Sequence, residues 1–122
     1  MYQITIDWLL EADPSIRWQT LRDLAGASEE KINRERKRIE REGWGAQILA
    51  EQDPSGKWEP GKTNESGLYT PKWTSTTYTM LLLRDFGLSP TNGQAKKACF
   101  HLLNYGLKPD GGINYGSPVS ET

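Results

Sequence analysis

The sequence predicts an all-α protein made of helical hairpin repeats, on three observations. A helical stretch twice runs out into a Pro-containing Gly turn: Gln52-Asp53-Pro54-Ser55-Gly56-Lys57-Trp58, then Leu107-Lys108-Pro109-Asp110-Gly111-Gly112-Ile113, with Pro54 and Pro109 55 residues apart. A similar helix start follows each turn, Thr70-Pro71-Lys72-Trp73-Thr74-Ser75-Thr76 and Ser117-Pro118-Val119-Ser120-Glu121-Thr122. Helices that are apolar on one side also alternate with one that is apolar nearly all round. Such recurrence marks stacked helical hairpins, each burying the face its neighbour leaves open.

Taken in order, a first helix is predicted from Ile4 to Ala12, with Ile4, Trp8 and Leu9 on one face. Asp13-Pro14 reads as an N-cap followed by proline at the first helical position, where its missing N–H costs nothing. The helix it starts carries Ile16, Trp18, Leu21 and Leu24 and ends near Gly26. Ser28 is the next N-cap, and Glu29 and Glu30 suit the positive end of a helix dipole. The third helix is nearly all charged, with Glu30–Arg34, Arg36–Glu40 and Arg38–Glu42 spaced to pair. Acids and bases cancel along it, which makes it a solvated face rather than a nucleic-acid surface. Past Gly43 and Gly45 a buried face returns with Trp44, Ala46, Ile48 and Leu49, on a kinked or a new helix.

Residues 53 to 72 read as a loop, and Thr70-Pro71 as a second cap-then-Pro signal that opens a helix from Lys72 to Phe86. Its middle, Tyr78 to Leu83, is apolar nearly all round and is expected to be the most buried of the chain. The last helix, Asn92 to Tyr105, places Ala95, Ala98, Cys99, Leu102 and Leu103 on its expected inner side. Residues 1–27 are therefore read as an N-terminal helical pair and 28–122 as one and a half repeats, cut off at the second inner helix.

Composition bounds the function. Fifteen basic and sixteen acidic residues give a net charge of −1, which points to no nucleic acid, membrane or acidic partner. There is no basic n-region or long apolar run, so neither a leader nor a membrane span is expected. The single cysteine allows no intrachain disulfide and fits a reducing compartment, the cytoplasm. Cys99-x-His101 supplies two of the ligands a zinc site needs, but the chain has no further Cys or His, and residues two apart on a helix diverge. The expected reading is a buried cysteine and a surface histidine, with no metal and no cofactor. Asp110-Gly111-Gly112 and Asp53-x-x-Gly56 hold too few acids for a cation loop and read as turn chemistry. The most informative cluster is Trp73, Thr76, Thr77 and Met80, with Tyr78 among them. On a helix from Lys72 these form an apolar wall bearing a hydroxyl, a candidate for an apolar ligand.

Gln52, Gly56 and Trp58 after an apolar helix end resemble the QW repeat of squalene–hopene cyclases and related terpenoid cyclases. These belong to the α/α-toroid group that includes protein prenyltransferase β subunits. Gly43-Trp44-Gly45-Ala46, Pro71-Lys72-Trp73-Thr74-Ser75-Thr76-Thr77-Tyr78 and Pro109-Asp110-Gly111-Gly112-Ile113-Asn114 are similar to bacterial prenyltransferase/squalene-oxidase-repeat proteins, as is Asp13-Pro14-Ser15-Ile16-Arg17-Trp18. The resemblance implies outer and inner helices alternating round part of a ring, with Gln52 and Trp58 tying an outer helix end to an inner helix start. The second turn departs from the pattern, with Leu107 for the Gln and Ile113 for the Trp. The Asp-x-Asp-Asp and Asp-Asp-x-x-Asp motifs are absent, and the six aspartates stand singly. The resemblance thus implies a fold and an apolar, isoprenoid-like ligand without a catalytic residue. A homo-oligomer or a C-terminal half is expected to complete the ring. The other reading is a HEAT-like protein-interaction scaffold.

Overall fold

The computed structural model describes residues 2–114 and is all-α. The second expected helix start, Ser117-Pro118, lies outside the described residues. Six α-helices are found among the described residues: α1 (Tyr2–Leu9), α2 (Pro14–Asp23), α3 (Glu29–Lys37), α4 (Gly43–Ala50), α5 (Thr76–Phe86) and α6 (Gly93–Gly106). A 3-10 turn, Arg38–Glu40, links α3 to α4. The only extended pairing among them is an isolated antiparallel bridge between Leu107 and Ile113.

The chain forms two compact units, one of residues up to Ala50 with Leu83–Ser89 and the other of Glu51–Leu82 with the residues from Pro90 on. The sequence boundary at residue 27 falls inside the first. There the local signals act as read. Asp13 caps α2 by accepting the Ser15 amide, and Ser28 caps α3 by accepting the Lys31 amide. Asp13 does more than cap, because its second oxygen accepts the Trp44 amide at 2.7 Å. Gly43 permits that approach: it has φ +70°, and a Cβ there would overlap the Asp13 carboxylate. Asp13→Ala should therefore cost about 1–2 kcal/mol, the upper end for a lost cap, measured by urea unfolding. A smaller loss in Asp13→Asn, which keeps one of the two acceptor oxygens, is the expected control.

The charged helix α3 buries no residue, as a solvated face should. Its charges pair across the fold as well as locally. Arg17 of α2 holds both Glu35 and Glu42, and Arg38 also reaches Glu35. The core of this unit is Trp18, Leu21, Ile39, Leu49, Leu83 and Leu88.

Several expectations fail in the later helices. Helix α5 starts at Thr76, not Lys72, because residues 70–75 form turns. It is not covered all round either: Thr76, Thr79 and Leu83, spaced i, i+3, i+7, are buried, while Leu81 and Leu82 are exposed. In α6 the buried residues are Ala95, Ala98 and Gly106, and Cys99, Phe100 and Leu103 face out. Small residues make the contact, so the helix is turned away from its most hydrophobic side. Cys99 is thus exposed, the reverse of the sequence reading, and His101 is the partly covered one.

Candidate functional site

Both Gly turns lie in the second unit, and they are built alike. In the first, the Asp53 amide donates to Lys57 O and the Gly56 amide to Asp53 O, each at 2.8 Å. In the second, the Lys108 amide donates to Gly112 O at 2.8 Å and the Gly111 amide to Lys108 O at 2.9 Å. The three positions, 53, 56 and 57 against 108, 111 and 112, correspond at the 55-residue offset read from the two prolines. Gly56 and Gly111 both take φ near +90°, at +102° and +89°, a region closed to most side chains. Asp53 and Asp110 each accept the amide two residues on, from Ser55 and Gly112.

What the turns hold differs. The Trp58 ring is buried and its amide donates to Thr76 Oγ1, which returns a bond to Trp58 O. Gln52 donates to Gly56 O within the turn and to Gln94 O in the first turn of α6, and Gln94 donates back to Gln52 Oε1. Trp58 thus secures the start of α5 while Gln52 secures the start of α6. In the second turn, Leu107 and Ile113 are both exposed.

The Ser55 hydroxyl and amide hold the Asp53 carboxyl below the usual carboxylate range, with Lys57 and Lys97 adding to the effect. A depressed folded pKa contributes stability above the unfolded value and loses it as pH falls through the folded one. The stability gap between the protein and Asp53→Asn should therefore close below about pH 4, which thermal melts from pH 6 downward would read.

The start of α5 is capped from a distance, since the Thr76 and Thr77 amides donate to Gly67 O and Leu68 O at 2.7 and 2.9 Å. Thr77 Oγ1 also donates to Leu68 O at 2.6 Å. This clamp brings Tyr69, next to Leu68, beside Tyr78, next to Thr77. Their rings lie 5.5 Å apart, and Trp73 stands 5.3 Å from Tyr78 on its other flank. Lys72 Nζ sits 4.8 Å over the Trp73 ring. The Tyr69 side chain, hydrogen-bonded to Tyr78, raises the Tyr78 hydroxyl above the ordinary tyrosine pKa, and desolvation adds to it.

Trp73 is the unusual member. Its φ is +74° and its side chain is 70% exposed. A left-handed backbone costs a bulky residue roughly 1–3 kcal/mol and persists only where the surroundings impose it. The fold therefore holds an indole out to solvent at some expense.

The candidate wall read from the sequence changes accordingly. Trp73 precedes α5 and leaves the stripe shared by Thr76, Thr77 and Met80. Both threonine hydroxyls are spent on backbone oxygens, and Met80 is half-buried. Tyr69 joins Trp73 and Tyr78 instead, a residue that no local signal marked. In the first unit an open groove of about 320 Å³ runs along Ile16, Gln19, Thr20, Asp23 and Leu24, but Gln19 and Thr20 already donate to the backbone of α2. Among the described residues no three His, Cys, Asp or Glu gather as a metal site, and no helix is long and apolar enough to cross a membrane.

No family model matches this chain, nor does any curated protein or solved structure.

Proposed function

We propose that this chain is a toroid-type helical repeat module, similar to squalene-cyclase-like and prenyltransferase-like proteins, that presents Tyr69, Trp73 and Tyr78 to an apolar, isoprenoid-like small molecule. The observation that carries the ligand reading is the exposed, left-handed Trp73, tilted 58° against Tyr78 with their rings 5.3 Å apart. Three adjoining rings offer a large, rigid apolar surface whose ordering cost is already met in the free protein. The repeat reading is supported by the two turns, which share two backbone hydrogen bonds position for position. The exposed Leu81 and Leu82 of α5 and the open second turn then await another helical layer, supplied by a second copy or by further repeats. The lone Cys99 suits the reducing cytoplasm as its compartment. No reaction is assigned, since the sequence carries neither an Asp-x-Asp-Asp motif to protonate an alkene nor an Asp-Asp-x-x-Asp motif to ionise a diphosphate.

Titration with farnesol, followed by calorimetry, tests the ligand reading. Binding that falls about tenfold or more in Trp73→Ala is the expected result, a loss of at least 1.4 kcal/mol. Equal binding by Trp73→Ala and the unmodified chain, or none by either, would sink it. In the latter case the interaction-scaffold reading takes its place, which the exposed apolar side chains favour.

A further inference from the structure

Helix α1 carries apolar side chains on both of its faces. Ile6, Leu9 and Leu10 are half-covered, while Tyr2, Ile4 and Trp8 stand 88%, 75% and 69% exposed. No residue of the helix is buried. Ile4 and Trp8 lie one turn apart and so share a face. A second row of the same kind occurs on α6, where Phe100, Leu103 and the following Leu107 are spaced i, i+3, i+7 and exposed. Leu107 is bridged to the equally exposed Ile113, which extends that row beyond the helix end. Single exposed apolar residues need no explanation, but two ordered rows do.

The charges around the two rows are opposite. Asp7 and Glu11 are the only charged side chains in the first twelve residues: Asp7 falls three residues after Ile4 on the same face of α1, and Glu11 lies in the turn just past the helix end. Lys96 and Lys97 are the only charged side chains of α6; just past its end stand Lys108 and, two residues further on, the acid Asp110. Lys96 continues the exposed row, four residues before Phe100. An acid-flanked apolar row thus matches a base-flanked one, whereas either row set against itself would oppose like charges.

From this match we infer that a second copy of the chain covers the α6 row with its own α1, and that two copies exchange α1 reciprocally in a closed two-fold dimer. Each copy then buries both of its open rows in one assembly, and no row remains to propagate a filament. Ile4 and Trp8 meet Phe100, Leu103 and Leu107, with Trp8 as the anchor, and Asp7 and Glu11 meet Lys96 and Lys108 at the rim. The inference rests on the further-layer reading above and is independent of the ligand.

Sedimentation velocity on the full chain across micromolar concentrations, at low and high salt, tests it. A dimer is expected that Trp8→Glu weakens by about tenfold or more, as loss of an anchor does. Because Trp8 is exposed, the variant should keep its helical circular dichroism. Reversing the acids (Asp7→Lys with Glu11→Lys) or the bases (Lys96→Glu with Lys108→Glu) should weaken the dimer severalfold, and combining all four should restore it. A monomer at every concentration overturns both the inference and the second-copy form of the layer reading. A dimer indifferent to Trp8→Glu, or a combined variant that does not recover, overturns the exchange of α1 alone and leaves a second copy as the layer. Farnesol binding that is unchanged in Trp8→Glu keeps the ligand reading separate from either outcome.

Discussion

Trp18→Ala should destabilise the first unit by about 3–5 kcal/mol, the range for losing a large buried aromatic side chain. The indole is buried, and its Nε1 donates to Phe86 O at 2.8 Å. Arg22 lies 4.5 Å from the ring centroid and Arg36 5.0 Å from it. Arg36 in turn donates through Nε to Gly87 O at 2.6 Å. Gly87 has φ +97°, and a Cβ at that position would run into the indole. One side chain therefore ties Phe86 and Gly87 to helix α2. Truncation opens a cavity, leaves a carbonyl without its donor and removes the surface on which two guanidinium groups rest. Trp18→Phe keeps a ring but not the N–H, so it should cost about 1–2 kcal/mol less than the alanine variant. Urea unfolding of both variants checks the order. Equal losses would mean that the packing of the ring contributes nothing beyond the hydrogen bond that both variants lose, and a loss under about 1 kcal/mol in Trp18→Ala would mean that Leu83–Ser89 is not docked on α2.

What the sequence could reveal followed the range of the interactions involved. Asp13-Pro14 and Ser28 were legible because a cap lies within three residues of the amide it accepts. Thr70-Pro71 presents the same letters and starts no helix. The amides of Thr76 and Thr77 are taken by Gly67 and Leu68, and that clamp depends on a loop conformation no local pattern encodes. A similar lesson comes from Arg17, which pairs with Glu35 and Glu42 eighteen and twenty-five residues away. The helical pairs within residues 30–42 were only the ones that sequence spacing makes visible.

Helix α6 shows where periodicity misleads. Of the side expected to face inward, Ala95 and Ala98 are buried, whereas Cys99 and Leu103 are exposed. Periodicity found the small residues of the contact but placed the larger apolar ones on the wrong side of its edge. Of the candidate site, Trp73 and Tyr78 were visible as large aromatics near a helix start. Tyr69 was not, because its place beside Tyr78 comes from the same loop clamp that displaced the helix start.

The duplicated turn gives the final and most discriminating expectation, because its two halves should respond unequally to the same kind of change. Trp58→Ala should destabilise the second unit by about 3–5 kcal/mol, since the ring is 4% exposed and its backbone carries Thr76 at the head of α5. Ile113, the matching residue 55 positions on, is exposed, and Ile113→Ala should cost under about 1 kcal/mol in the monomer. Gln52→Ala lies between them. It removes donors to Gly56 O and Gln94 O and an acceptor for Gln94, all near the surface, for a loss of about 1–2 kcal/mol. The local turn is the same in both halves, so the contrast measures what the next helical layer adds to it. Urea unfolding of the three variants at low protein concentration gives the comparison. Equal and small losses at residues 58 and 113 would mean that Trp58 decorates a self-sufficient loop. A large loss at both would mean that Ile113 is already covered in solution, and repeating the melts at high concentration would then show whether a second copy covers it.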